Sequence, residues 1–67
     1  MSHGPIDIFA AKRGRVLLIQ VKSGKGRLTK WEASEILRWS KAFRAVGEVW
    51  FFKKGGGLVK KTICPPL

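Results

Sequence analysis

Apolar residues fall in short blocks separated by basic and glycine-containing turns, and each block carries a recognisable period. Ile6 to Ala11 is short, apolar and partly β-branched, which predicts a strand. Lys12-Arg13-Gly14-Arg15 predicts a turn, with Gly14 free to take positive φ. Arg15 to Lys22 has a near-continuous apolar centre, the pattern of a strand covered on both faces. Ser23 to Arg27 is a flexible basic loop. Thr29-Lys30-Trp31-Glu32 is a capping box, and Ala33, Ile36, Leu37, Ser40 and Phe43 then recur at helical spacing to form one face. Trp39 flanks that stripe; Lys30, Glu35, Arg38 and Lys41 lie largely outside it. Gly47 is expected to end the helix as its C′ residue. Glu48 to Lys53 predicts a third strand, apolar in both parities, Lys54 to Gly57 a turn, and Leu58 to Ile63 a fourth strand stopped by Pro65 and Pro66. The pattern predicts an α/β fold in ββαββ order, a small mixed sheet with one principal helix.

Folding the first hairpin about its turn pairs Lys12 with Arg15. Asp7 then faces Gln20, and Lys22 shares the face of Gln20. One carboxylate, one amide oxygen and one ammonium are expected to converge at the open end of the hairpin.

Length and composition set the scale. The 67 residues make one small domain, which buries about 60% of its unfolded surface and calls for added support. Cys64 is the single cysteine, so no intrachain disulfide forms; with no apolar signal segment at the start, this fits a reducing, cytoplasmic setting. No apolar run approaches the roughly 18 residues of a membrane helix. A partner subunit is the expected support, and three Trp and four Phe exceed what one small core hides, so an exposed aromatic patch is expected at a dimer surface. Fourteen Lys and Arg against four acids give a net charge of +10, which points to polyanions. A solubility charge and a ribosome-type RNA binder are the competing readings of the charge. The chain has no Asn and one Gln, Gln20, as amide-poor thermophile proteins do.

The convergent trio suits metal-assisted phosphodiester hydrolysis. Oxygens of Asp7 and Gln20, with the Val21 carbonyl as a third, are hard ligands for Mg²⁺ or Mn²⁺. A bound ion would polarise a phosphate and acidify a water, and Lys22 would hold that water or neutralise developing charge. Arg13, Ser23, Lys25, Arg27 and Lys30 are the expected phosphate contacts. Each residue also has a plain structural reading: Asp7 as a strand-end residue, Lys22 as a solvated strand terminus. His3 lies in a Ser-His-Gly start without a partner, and Cys64 reads as a small apolar strand-end residue. Trp31 is read first as packing or a dimer contact and second as a base-stacking side chain. Gly24-Lys25-Gly26 lacks the spacing of a P-loop.

Pro5-Ile6-Asp7, a gap, and Gln20-Val21-Lys22-Ser23 together resemble the PD-(D/E)xK motif. The Lys-rich loop and amphipathic helix that follow are similar to those of the archaeal Holliday-junction resolvases, and the likeness runs from about Pro5 to about Lys54. The resemblance implies a restriction-endonuclease-like fold and a divalent metal. It also implies a homodimer acting on four-way DNA junctions in recombination. On this reading Asp7 is the metal-binding Asp, Gln20 holds the place of the second acid, Lys22 is the catalytic Lys and Ser23 lies beside it. Gln at the second-acid position departs from the main pattern but is shared with branches such as the Mrr-like enzymes, and it lowers the negative charge of the site. The family's N-terminal helix and its Glu have no counterpart here. The resemblance therefore implies an N-terminally truncated relative. Its missing Glu comes from another chain, or the scaffold binds nucleic acid without cutting it.

Overall fold

A computed structural model describes residues 6–24 and 26–66. Its elements are β1 (Ile8–Lys12), β2 (Arg15–Ser23), α1 (Lys30–Ala42), β3 (Val46–Phe52) and β4 (Leu58–Cys64). They form one mixed sheet in the order β1-β2-β3-β4, with β1/β2 and β3/β4 antiparallel and β2/β3 parallel. The parallel pair needs a crossover, and α1 supplies it. The small α/β fold with a mixed sheet and one helix is as the pattern predicts.

The first hairpin closes as expected, with Lys12 opposite Arg15 and Ile8 opposite Ile19. Arg13 and Gly14 between them both have positive φ, 51° and 77°, the geometry of a type I′ turn whose twist matches that of the strands. The strand itself begins at Ile8 rather than Ile6, yet the pairing reaches Asp7, whose N–H donates to the Ile19 carbonyl at 2.9 Å.

The helix begins as a complete capping box. The Thr29 hydroxyl accepts from the Glu32 N–H at 3.0 Å, and Glu32 Oε1 accepts from the Thr29 N–H at 3.0 Å. Its end differs from the sequence expectation. Arg44, not Gly47, is the left-handed residue after the helix, at φ 52°. The Arg44 N–H donates to Lys41 O at 3.2 Å and the Ala45 N–H to Ser40 O at 2.7 Å, the paired bonds of a Schellman motif. Those bonds offset the cost of placing a residue that carries a Cβ in the left-handed region. Gly47 lies inside β3 and is glycine for a different reason. A Cβ there would stand 2.2 Å from Ser40 Oγ and 2.9 Å from Ile36 Cγ2, so its bare backbone lets α1 sit down on the sheet.

Alternation along the strands assigns the two faces. Leu18, Gln20 and Lys22 of β2, with Gly47 and Val49 of β3, face α1. Leu18, Ile36 and Val49 have no exposed surface and form the centre of the core. Leu17, Ile19 and Val21, with Val46, Glu48 and Trp50, face the other way, where no second helix packs among the described residues. The expectation that β2 and β3 are covered on both faces is therefore corrected. The uncovered face is partly closed by its own side chains: Trp50 Nε1 donates to Glu48 Oε1 at 2.8 Å, and the Lys60 ammonium sits 4.4 Å from the Trp50 ring centroid. Phe43, expected in the core stripe, is exposed at the end of the helix.

Candidate functional site

The β1/β2 pairing ends at Ile8↔Ile19; Asp7 lies one residue beyond it and is held by Ile19 and Val21 rather than paired with Gln20 as the hairpin arithmetic expects. The Asp7 backbone bonds Ile19, and its Oδ2 accepts from the Val21 N–H at 2.8 Å. Asp7 thus does close the end of the ladder, which is the plain structural role, while its second carboxylate oxygen has no hydrogen bond among the described residues. The N–H and C=O of one strand residue lie on the same side of the strand, so the Val21 carbonyl is turned toward the same edge as its N–H.

Gln20 is almost wholly buried, at 8% exposure, and its Oε1 is a buried acceptor with no hydrogen-bond partner. Leaving such a group unpaired costs about 1–3 kcal/mol. An amide oxygen and a carboxylate are donors of the type a hard cation takes, and the Gln20 oxygen lacks another partner among the described residues. Among the described residues no group of three His, Cys, Asp and Glu side chains converges as a metal cage. The oxygens near this end of the hairpin are those of Asp7, the Gln20 amide and the backbone carbonyls.

Lys22 shares the face of Gln20 and is not a solvated strand end. Its Nζ donates to Glu32 Oε2 in a part-buried ion pair between β2 and the first turn of α1. Sequence reasoning read Glu32 only as a capping residue. One oxygen takes the Thr29 amide while the other takes Lys22, and the second contact has no local sequence signal because it depends on how the loop returns α1 over β2. The loop between them folds back, with the Gly26 N–H donating to Ser23 O at 3.1 Å. A Cβ on Gly26 would lie 3.5 Å from that of Lys22. Asp7 and Glu32, two of the four acids in the chain, are thus both tied to the end of β2, Asp7 through the Val21 N–H and Glu32 through the Lys22 ammonium.

Lys22 first, and the Thr29 amide second, hold the Glu32 carboxyl below its ordinary value of 4.5. A carboxyl whose pKa is lower in the folded chain stabilises the fold above its unfolded value, and that stabilisation is lost as pH falls through the lowered one. Stability is therefore expected to decline below about pH 4.5 in a step that Glu32→Gln flattens. Urea melts across pH 7 to pH 3 measure it, and an unchanged profile in the variant contradicts the ion pair.

The expected phosphate contacts divide. Ser23, Arg27 and Lys30 are exposed and belong to the segment joining Lys22 to Glu32, beside the site. Arg13 is exposed at the hairpin tip, about 17 Å or more along the strand from Asp7, and cannot act at the same phosphate. Pro5, His3 and Lys25 lie outside the described residues. A surface depression of about 690 Å³ is on the uncovered sheet face near the hairpin tip, rimmed by Lys12, Arg13 and Arg15, and is remote from Asp7. No helix among the described residues is long and apolar enough to cross a membrane. Comparison of the chain with protein-family models, with curated proteins and with solved structures found no match.

Proposed function

We propose that this protein is a structure-selective DNA endonuclease of the PD-(D/E)xK type, restriction-endonuclease-like in fold. Its reaction is divalent-metal-assisted phosphodiester hydrolysis. The observation that carries the reading is the buried Gln20 amide oxygen, without a partner among the described residues, with Lys22 next on the same face of β2 and the Asp7 carboxylate held by the Val21 N–H between them in sequence. Asp7, Gln20 and the Val21 carbonyl would hold Mg²⁺ or Mn²⁺. Such an ion supplies Lewis acidity to the phosphate and a more acidic water. Lys22 neutralises charge at the phosphate oxygens, and Glu32 fixes its ammonium in place before substrate arrives, which removes the cost of ordering a long side chain. Ser23, Arg27 and Lys30 hold the flanking phosphates, and the net charge of +10 draws the polyanion in.

A homodimer fits the uncovered sheet face, where Ile8, Phe52 and Leu58 are exposed beside half-buried Val21 and Trp50. Two copies joined there would present two sites to a branched DNA. The Lys22–Glu32 ion pair favours a second reading, a DNA-binding scaffold that no longer cuts, because it engages the side chain that the chemistry needs.

Incubation of the protein with a labelled four-way junction and with linear duplex, in Mg²⁺, in Mn²⁺ and in chelator, tests the proposal. Metal-dependent nicks on the junction are expected. Tight binding with no nick under either metal overturns the nuclease reading in favour of the scaffold.

A further inference from the structure

An aromatic cluster lies on the helix side of the sheet, beyond the site. Trp39 and Phe43 of α1 stack nearly parallel, with ring centroids 5.8 Å apart at 16°, and Phe9 of β1 meets Phe43 edge-on at 6.3 Å and 84°. All three remain open to solvent: Phe9 is 59% exposed, Phe43 51% and Trp39 36%. Arg38, Trp39, Ala42 and Phe43 line a groove of 370 Å³ there. Such a ring stack is mutually ordered yet uncovered, which a soluble surface does not need for stability.

Charge decides what covers it. Arg38 lines the groove, and Lys41 and Arg44 are exposed at the same end of the helix. Two copies meeting there about a two-fold axis would bring those cations together on chains that each carry +10. An anionic partner that also offers flat π-faces removes the repulsion and continues the ring stack, and a nucleic-acid strand with unpaired bases has both properties. A closed duplex does not, since its base faces are already stacked on one another. We infer that the Phe9–Trp39–Phe43 cluster is a stacking platform for an unpaired base of a DNA strand, with Arg38 and Arg44 on its phosphates.

Phe9 is two residues from Asp7, about 7 Å along the chain, and pairs with Leu18 on the sheet face of Gln20 and Lys22. The platform therefore adjoins the candidate site, and this deepens the nuclease reading on which the choice of DNA rests. The preferred substrate has unpaired nucleotides beside the bond that is cut, as a branch point or flap does.

Fluorescence anisotropy with labelled oligothymidylate, in chelator so that nothing is cut, tests the platform on the whole chain. Trp39→Leu, which keeps an apolar side chain and loses the π-face, is expected to bind the single strand about 10-fold more weakly, the scale of one base–aromatic stack. Trp39→Phe should retain binding. Phe52→Leu, on the opposite sheet face, should leave it unchanged, and blunt duplex binding should not respond to Trp39→Leu. Circular dichroism checks that each variant is folded. Equal single-strand binding by Trp39→Leu overturns the inference, as does an equal loss on duplex. So does tighter binding of oligouridylate than of oligothymidylate, or conversion of a dimer to a monomer by Trp39→Leu in sedimentation, which would make the cluster a subunit contact. Because no metal is present, a chain that never nicks DNA can still pass, and a chain that nicks can still fail.

Discussion

Lys22→Ala is expected to lower the nicking rate on a four-way junction by about 10²–10³-fold, the effect of removing one preorganised donor from a transition state. Junction affinity should change far less, because the counterion release of a +10 chain is spread over many Lys and Arg. The variant should still fold. Glu32 keeps its bond from the Thr29 amide when Lys22 is gone, and part-exposed ion pairs contribute about 1 kcal/mol or less. Lys22→Arg separates charge from placement. It keeps a cation for Glu32 but replaces a compact ammonium by a planar fork, so partial activity is expected. Single-turnover cleavage beside anisotropy binding reads both quantities. A Lys22→Ala protein that cuts at the parental rate removes Lys22 from the chemistry and leaves it as the structural partner of Glu32.

Gly47→Ala is expected to be the most damaging small substitution in the fold. The added methyl would meet Ser40 Oγ at 2.2 Å and Ile36 Cγ2 at 2.9 Å, inside the closest packing of α1 on β3. Forcing a methyl into a filled core costs about 1–3 kcal/mol, and in a domain of this size each kcal/mol moves the melting midpoint by about 4–8 °C. Ser40→Ala alone should be neutral or mildly stabilising, since the Ser40 hydroxyl is buried without a partner. Combined with Gly47→Ala it removes the worst contact, so the double variant should recover part of the loss. Thermal melts of the four proteins measure this cycle. A Gly47→Ala protein as stable as the parent would show that α1 does not rest on Gly47 as described.

The two glycine readings show where sequence signals carry and where they stop. Arg13-Gly14 was legible as a hairpin turn because the strands on either side fix its length, and from that turn the pairing down to Ile8↔Ile19 follows by counting, while Asp7, one residue further, leaves that register to bond Ile19 and Val21. The helix end was not legible, because the residue that takes the left-handed position is Arg44, which has no preference for it. The search for a glycine therefore ran on to Gly47. That glycine answers to packing between elements, a long-range constraint that periodicity does not contain. The site shows the same division. Gln20 and Lys22 share a face for local reasons, through alternation along β2. The Lys22–Glu32 contact depends on how the crossover loop returns α1 over β2. The sequence likewise left open which face the helix covers. The contacts of Phe9 with Phe43 and of Gly47 with Ser40 decide that it is the face of Gln20.

On the proposed function, the Asp7 carboxylate serves a metal-dependent cut and does more than close the end of a strand. Asp7→Asn separates the two roles, because the amide oxygen can still accept from the Val21 N–H while the negative charge is gone. Junction nicking by the parent and by Asp7→Asn across a titration of Mn²⁺, with chelator as the blank, tells them apart. Nicking by the parent is expected to rise with metal, with little or none by Asp7→Asn at any concentration, both proteins being folded and binding the junction alike. Equal metal-dependent nicking by the two proteins would remove Asp7 from the chemistry.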